Sequence, residues 1–179
     1  MGNGKGRLIV ANHPTLIDVV LLVSLMPQAQ CIVKHSLWSH RFLGGVMRGA
    51  GYIRNDGNPE TVLGQCRDAI SQGLDIIIFP EGTRSVPGQS IKFQRGFANI
   101  ATMAPCDIQL VTITCRPPTL AKGSPWYDIP PTRPAFQLTV DEQVDISRYL
   151  TNDPRSKIVR RLTRDLERHY SGILTNGQA

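Results

Sequence analysis

The sequence lacks several features that would assign a class at once. Its longest apolar run, Leu16 to Met26, contains Asp18 and is shorter than the roughly 20 residues a membrane-spanning helix needs. No signal peptide is visible, and Met1-Gly2-Asn3-Gly4-Lys5-Gly6 has no Ser or Thr at position six, where a myristoylation signal places one. The fold is expected to begin within the first ten residues, so any upstream membrane anchor is expected to be absent from this chain. The four cysteines, Cys31, Cys66, Cys106 and Cys115, form no CxxC pair, which argues against a zinc site. Three of them lie in or beside apolar runs and read as reduced, mostly buried thiols of a cytosolic-facing protein. Repeats and low-complexity tracts are absent. Basic residues are not interleaved with aromatics and no nucleic-acid-binding motif occurs, so no nucleic-acid partner is expected.

Acidic residues are also in deficit. Lys and Arg number 20 against 14 Asp and Glu, giving a net charge of +6 and a pI of about 9.5. Such a balance favours anionic partners without choosing among nucleic acid, anionic lipid and phosphorylated substrates. With 179 residues and 41% hydrophobic content, the chain suffices for one domain over 1–179 with a proper core.

Strand and helix signals alternate along the chain. Strands are predicted at Leu8–Ala11, Gln30–Lys34, Gly51–Arg54, Asp75–Phe79, Ile108–Thr114 and Ala135–Val140. Helices are predicted at Thr15–Leu25, Leu37–Gly49, Pro59–Gln72, Gly96–Met103 and Pro154–Ser171. Runs such as Ile76-Ile77-Ile78-Phe79 are apolar without alternation, the mark of strands buried on both faces. The expected class is therefore α/β, a mainly parallel central sheet flanked by helices on both faces. Arg116 to Pro134, rich in proline, reads as a long surface excursion before the last strand.

Ligands on such sheets bind at the strand ends, and there the polar residues gather. The first strand runs into Asn12-His13-Pro14-Thr15-Leu16-Ile17-Asp18. Asp18 is the single charge in an apolar helix and needs a partner, because burying a lone carboxylate is expensive. With His13 on the turn before the helix, Asp18 can reach back to one imidazole nitrogen and leave the other free, the arrangement of an oriented general base. A helix-start histidine beside a capping aspartate, with no chemistry, is the other reading, and this stretch alone does not choose.

A second cluster, Phe79-Pro80-Glu81-Gly82-Thr83-Arg84-Ser85, follows the most apolar strand. Pro80 ends the strand and Gly82 permits a tight turn. Arg84 is a forked donor suited to phosphate, or else a surface partner of Glu81. Lys34 and Arg54 also stand at strand ends. In a mainly parallel sheet a base and three cations would share one edge, which fits a reaction on a hydroxyl near an anionic group.

The blocks Asn12-His13-Pro14-Thr15-Leu16-Ile17-Asp18, Gly51-Tyr52-Ile53-Arg54 and Phe79-Pro80-Glu81-Gly82-Thr83-Arg84-Ser85 resemble, in order and separation, three blocks of the glycerolipid acyltransferases. That family includes the bacterial 1-acylglycerol-3-phosphate acyltransferases, and the resemblance covers about residues 7 to 116. It implies transfer of a fatty acyl group from a thioester, acyl-CoA or acyl carrier protein, to a lysolipid hydroxyl. By the resemblance, His13 is the base and Asp18 its orienter. Arg54, Glu81, Gly82, Thr83 and Arg84 would hold the acceptor and its phosphate, with Lys34 as a further cation. No metal, no other cofactor and no acyl-enzyme is implied, and the protein would sit peripherally on the cytoplasmic face of the plasma membrane.

This chain departs from the pattern of many phosphatidic-acid-forming members. It has Pro14-Thr15 where they carry Gln-Ser, and Val111-Thr112 where they carry Val-Pro. The departures leave the base alone and bear on the acceptor, which in related enzymes is another lysolipid, an ornithine lipid, a glycolipid or a polyene-bearing lipid. Two other functions suit parts of the sequence: a metal-dependent hydrolase using His13 and Asp18 as ligands, and a non-catalytic basic module on a membrane or nucleic acid. Lys92 and Arg95 read as a basic loop, and His35, His40 and His169 as structural or surface residues. Trp38 and Phe42 suit either core packing or lipid contact. The last helix pairs an apolar stripe, Ile158, Leu162, Leu166 and Tyr170, with a basic face that suits anionic lipid or solvent.

Overall fold

The computed structural model describes residues 6–39, 41, 43–86, 89–125 and 127–176; His40, Phe42 and Trp126 lie outside them. Strands β1 (Leu8–Ala11), β2 (Gln30–Lys34), β3 (Ile53–Asn55), β4 (Ile76–Ile78) and β5 (Ile108–Arg116) run parallel. The last strand, β6 (Ala135–Val144), joins β5 antiparallel, and the sheet order is β3-β2-β4-β1-β5-β6. The expected α/β class, mainly parallel with helices on both faces, is what the chain forms.

Burial on both faces explains the unbroken apolar strands. Leu8 and Val10 join one core with residues of α4 (Pro59–Ser71), α5 (Gly96–Met103) and α6 (Arg155–Asn176). Ile9 and Ala11 point the other way, into a second core with Leu22 of α1 (Asp18–Leu25). Trp38 of α2 (His35–Trp38) and Met47 of α3 (Leu43–Gly49) pack against that second core. On α6 the stripe Ile158, Leu162, Leu166 and Tyr170 is buried as its spacing predicts, while Arg160, Arg164 and Arg168 are exposed. All four cysteines are buried.

Several boundaries differ from expectation. The first helix begins at Asp18 rather than Thr15, so Pro14 stands in the preceding turn and not in the helix. The cause is Asp18 itself, whose carboxylate takes the Thr15 N–H and hydroxyl and holds that segment as a turn. The helix predicted over 37–49 is two, α2 and α3; Gly44 and Gly45 weaken helix propensity beside the break. Strand β6 runs on to Val144 past an irregularity in its pairing with β5, and a short 3₁₀ turn, Ile146–Arg148, follows. The excursion after Arg116 returns to the sheet at Ala135, as expected. No described helix is long and apolar enough to cross a membrane.

The two faces of α6 should respond differently to truncation. Leu162→Ala is expected to lower the unfolding free energy by about 2–5 kcal/mol, and Arg164→Ala to change it by less than about 0.5 kcal/mol. Urea unfolding followed by circular dichroism measures both, and equal losses would contradict the packing of this helix.

Candidate active site

Strand order decides which motif residues meet. Because β4 lies beside β1, the loops after Ile78 and after Ala11 leave the sheet side by side. They are then laced together by hydrogen bonds. The His13 N–H donates to Glu81 Oε1 (3.0 Å), and the Ser85 N–H donates to the His13 carbonyl (2.7 Å). The Ser85 hydroxyl donates to the same Glu81 oxygen (2.7 Å). Phe79 lies against the imidazole with ring centroids 4.5 Å apart.

The imidazole meets the carboxylate that the sequence pairs with it. His13 Nδ1 lies 2.8 Å from Asp18 Oδ2. Asp18 is fully buried at the first position of α1, where the helix dipole favours a negative charge. Its oxygens also accept from the Thr15 N–H (2.7 Å) and hydroxyl (2.5 Å). An ionised carboxylate only accepts, so this contact is made with the proton on Nδ1. The His13 side chain is 17% exposed, enough to meet a substrate. Asp18 thus holds the ring as well as the turn.

Two residues not singled out by sequence fix the end of β1. Asn12 is buried, donates from Nδ2 to the Ile113 carbonyl (2.8 Å), and accepts from the Ile113 N–H at Oδ1 (2.7 Å). Its amide thereby continues the β1–β5 ladder one step beyond the strand. The Tyr170 hydroxyl donates to the Val10 carbonyl (2.7 Å) and accepts from the Val111 N–H (3.2 Å), standing between β1 and β5. The stripe on α6 places Tyr170 in the core; nothing in the sequence says that its hydroxyl reaches the sheet backbone.

The remaining motif residues divide. Arg84 is half-buried, and its Nη1 donates to the carbonyls of Leu120 (2.8 Å) and Ala121 (2.9 Å). The Leu16 N–H also donates to Leu120, a non-glycine residue held at φ +50°. Arg84 therefore ties the proline-rich excursion to its own turn, beside that of His13, and it has not paired with Glu81 as the alternative had it. Gly82 adopts φ +67°, the turn its type permits, and Thr83 beside it is exposed. Arg54 lies in β3, three strand spacings or about 14 Å from β1. Its buried Nε has no hydrogen-bond partner among the described residues. Lys34 ends β2 on the same sheet edge, and its side chain is outside those described. No cluster of three His, Cys, Asp or Glu suited to a metal occurs among the described residues.

The fold and site define an α/β protein with a buried-aspartate, oriented-histidine pair at the carboxyl edge of a parallel sheet. The Acyltransferase family model matches residues 2–116, and the chain belongs to that family. A 1-acyl-sn-glycerol-3-phosphate acyltransferase of Cocos nucifera is 32% identical over 114 residues, 60% of this chain and 37% of that protein. One from Helicobacter pylori is 32% identical over 109 residues, 58% of this chain and 46% of that protein. The chain thus spans less than half the length of these curated relatives. The crystal structure of the 1-acyl-sn-glycerophosphate acyltransferase PlsC from Thermotoga maritima has the same fold, with a TM-score of 0.61 at 21% identity. That match covers 93% of this chain and 66% of the other.

Burial pushes the Glu81 carboxyl above the ordinary glutamate range, partly offset by the Ser85 and His13 hydrogen bonds. The folded chain therefore holds this proton more tightly than the unfolded one. The group's contribution to stability is full below the ordinary glutamate value and is lost as pH rises through the raised one. Glu81→Gln keeps the accepting oxygen and has no proton to lose. Its melting temperature relative to wild type is expected to improve as pH rises from about 4 to 8; movement in the opposite direction would contradict a desolvated Glu81. Asp18→Asn should retain the fold while lowering turnover by about 10²-fold or more, because the amide does not stabilise an imidazolium. Matched melting curves and turnover numbers test it.

Proposed function

We propose that this chain moves a fatty acyl group from a thioester to the hydroxyl of 1-acylglycerol-3-phosphate, giving phosphatidic acid. The observation that carries the proposal is the 2.8 Å contact between His13 Nδ1 and Asp18 Oδ2, which leaves Nε2 as the base. Family membership and the printed activities of the relatives support the substrate class.

In this reading Nε2 takes the proton from the acceptor hydroxyl as its oxygen attacks the thioester carbonyl carbon. The new C–O bond forms, the C–S bond breaks, and the imidazolium returns its proton to the departing thiolate. Asp18 holds the tautomer and steadies the positive ring. No residue forms an acyl intermediate, and the step uses no metal or other cofactor. The acceptor's phosphate goes to the cation side of the sheet edge. Arg54 is one ligand there, since its buried Nε has no hydrogen-bond partner among the described residues. Lys34 stands nearer, at the end of β2. Arg84 acts chiefly by fixing the loop over the site, with Glu81, Gly82 and Thr83 shaping the turn.

Peripheral attachment to the cytoplasmic face of the plasma membrane belongs to the same proposal. Leu16, just before α1, and Val20 and Leu25 on α1 are exposed apolar residues close to the catalytic turn, well placed to meet lipid. The basic face of α6 lies across the sheet from them, so the two do not meet one flat surface together. The hydrolase reading fares worse, because Asp18 Oδ2 is already taken by His13 and Thr15.

His13→Ala is expected to lower transfer by about 10²–10⁴-fold. The assay incubates the protein with labelled acyl thioester and 1-acylglycerol-3-phosphate and reads phosphatidic acid by mass spectrometry. Product at the wild-type rate from this variant would remove the mechanism. Label on another lipid when a total extract replaces the acceptor would correct the head group and leave the chemistry standing.

A further inference from the structure

Helix α6 lies beyond residues 2–116, which the family model covers, yet it supports the His13 turn at two points. Tyr170 and Glu167 make these contacts, and their three-residue spacing puts them on one face of the helix.

The first point is a rung of the sheet. The Leu8 N–H donates to the Asp107 carbonyl, so β1 turns Leu8 and, two residues on, Val10 toward β5. The Tyr170 hydroxyl stands on the rung between Val10 and Val111, 2.7 Å from the Val10 carbonyl oxygen and 3.2 Å from the Val111 nitrogen. Without that hydroxyl, the Val10 carbonyl and the Val111 N–H must draw together or stay unpaired in the core. Either outcome disturbs the end of β1, about 10 Å of extended chain before His13. Tyr170 is 0% exposed, so its hydroxyl acts on the backbone and does not meet a substrate.

The second point is the loop after β4. Glu167 Oε1 accepts from the Phe93 N–H (2.7 Å). The next residue, Gln94, donates its N–H to the Pro80 carbonyl (2.7 Å), directly before Glu81. Glu81 in turn accepts from the His13 N–H. The Phe93 ring meets Tyr170 edge-on, with centroids 5.5 Å apart, which joins the two points into one assembly. Two routes from α6 therefore converge on the His13 backbone, one through β1 and one through Glu81.

The hydrogen bonds that orient the imidazole are different in kind, because all of them lie within residues 13–18. They do not need α6. What α6 sets is the place of that small unit over the sheet edge, and a misplacement of about 1 Å can cost about 10²-fold in rate. Resting on the acyl-transfer reading above, we propose that Tyr170 and Glu167 are positioning residues for the reaction. They hold the His13 turn in register with the bound substrates, and neither touches them.

The test measures kcat and KM with labelled acyl thioester and 1-acylglycerol-3-phosphate, well below every melting temperature. Tyr170→Phe should lower kcat about tenfold or more and leave both KM values within about twofold. The pH midpoint of kcat/KM should stay where it is in wild type. Glu167→Ala should behave likewise, and Glu167→Gln, which keeps an accepting oxygen, should return kcat to within about twofold of wild type. Leu162→Ala, buried about two turns away on the same helix, should lower the melting temperature at least as far and hold kcat within about twofold. Wild-type kcat in either Tyr170→Phe or Glu167→Ala would overturn the proposal. So would an equal loss of kcat in Leu162→Ala, which would make the effect one of stability alone. A shifted pH midpoint would overturn it too, by placing the effect on the protonation of the base. No transfer by wild type would instead remove the acyl-transfer reading on which the proposal rests.

Discussion

A buried carboxylate sets the terms for this structure. Asp18 is fully enclosed at the start of an apolar helix, and a charge in that place is tolerated only when its oxygens are matched. Thr15 supplies two hydrogen bonds and His13 a third. To supply them, residues 13–17 stay outside the helix and fold back over its first turn. The same demand that delays the helix orients the imidazole. The ring's orientation is thus a by-product of satisfying one carboxylate, and Thr15 contributes to it through its two hydrogen bonds.

The surroundings make that small turn rigid. Behind it, Asn12 and Tyr170 bind the backbone where β1 and β5 part. Beside it, Glu81 and Ser85 grip the backbone of His13 from the neighbouring strand end. In front, Arg84 and Leu16 draw Leu120 across. Each contact joins segments far apart in sequence, so the site is assembled by strand order. The result is an imidazole held in one orientation, with Lys34 and Arg54 on strands to one side of it and the β5–β6 edge on the other.

Much of this was legible from the residues. Apolar strands without alternation announced a sheet covered on both faces. His13 and Asp18 were readable as a pair because a lone carboxylate in an apolar run has few ways to survive. The stripe on α6 gave its buried face. What was not legible depends on long-range partners. Arg84 looks like a phosphate ligand in sequence, and only the return of the excursion to Leu120 shows its second role. The reach of the Tyr170 hydroxyl depends on how α6 crosses the sheet, which periodicity does not encode. The helix starts later than expected because proline is at home in a first turn, and the stronger hydrogen bonds that Thr15 donates to Asp18 override that preference. The spread of the cations follows from strand order, which puts Arg54 about 14 Å from β1.

The central claim is that Asp18 holds the His13 ring with a proton on Nδ1 and leaves Nε2 bare. Nitrogen-15 NMR of the histidine rings at neutral pH, with His13 assigned by comparison with His13→Ala, reads this directly. The account predicts a protonated Nδ1 whose hydrogen is shifted downfield by Asp18, and an Nε2 with the chemical shift of an unprotonated nitrogen. A proton found on Nε2, or a ring averaging between tautomers as in free imidazole, would contradict it.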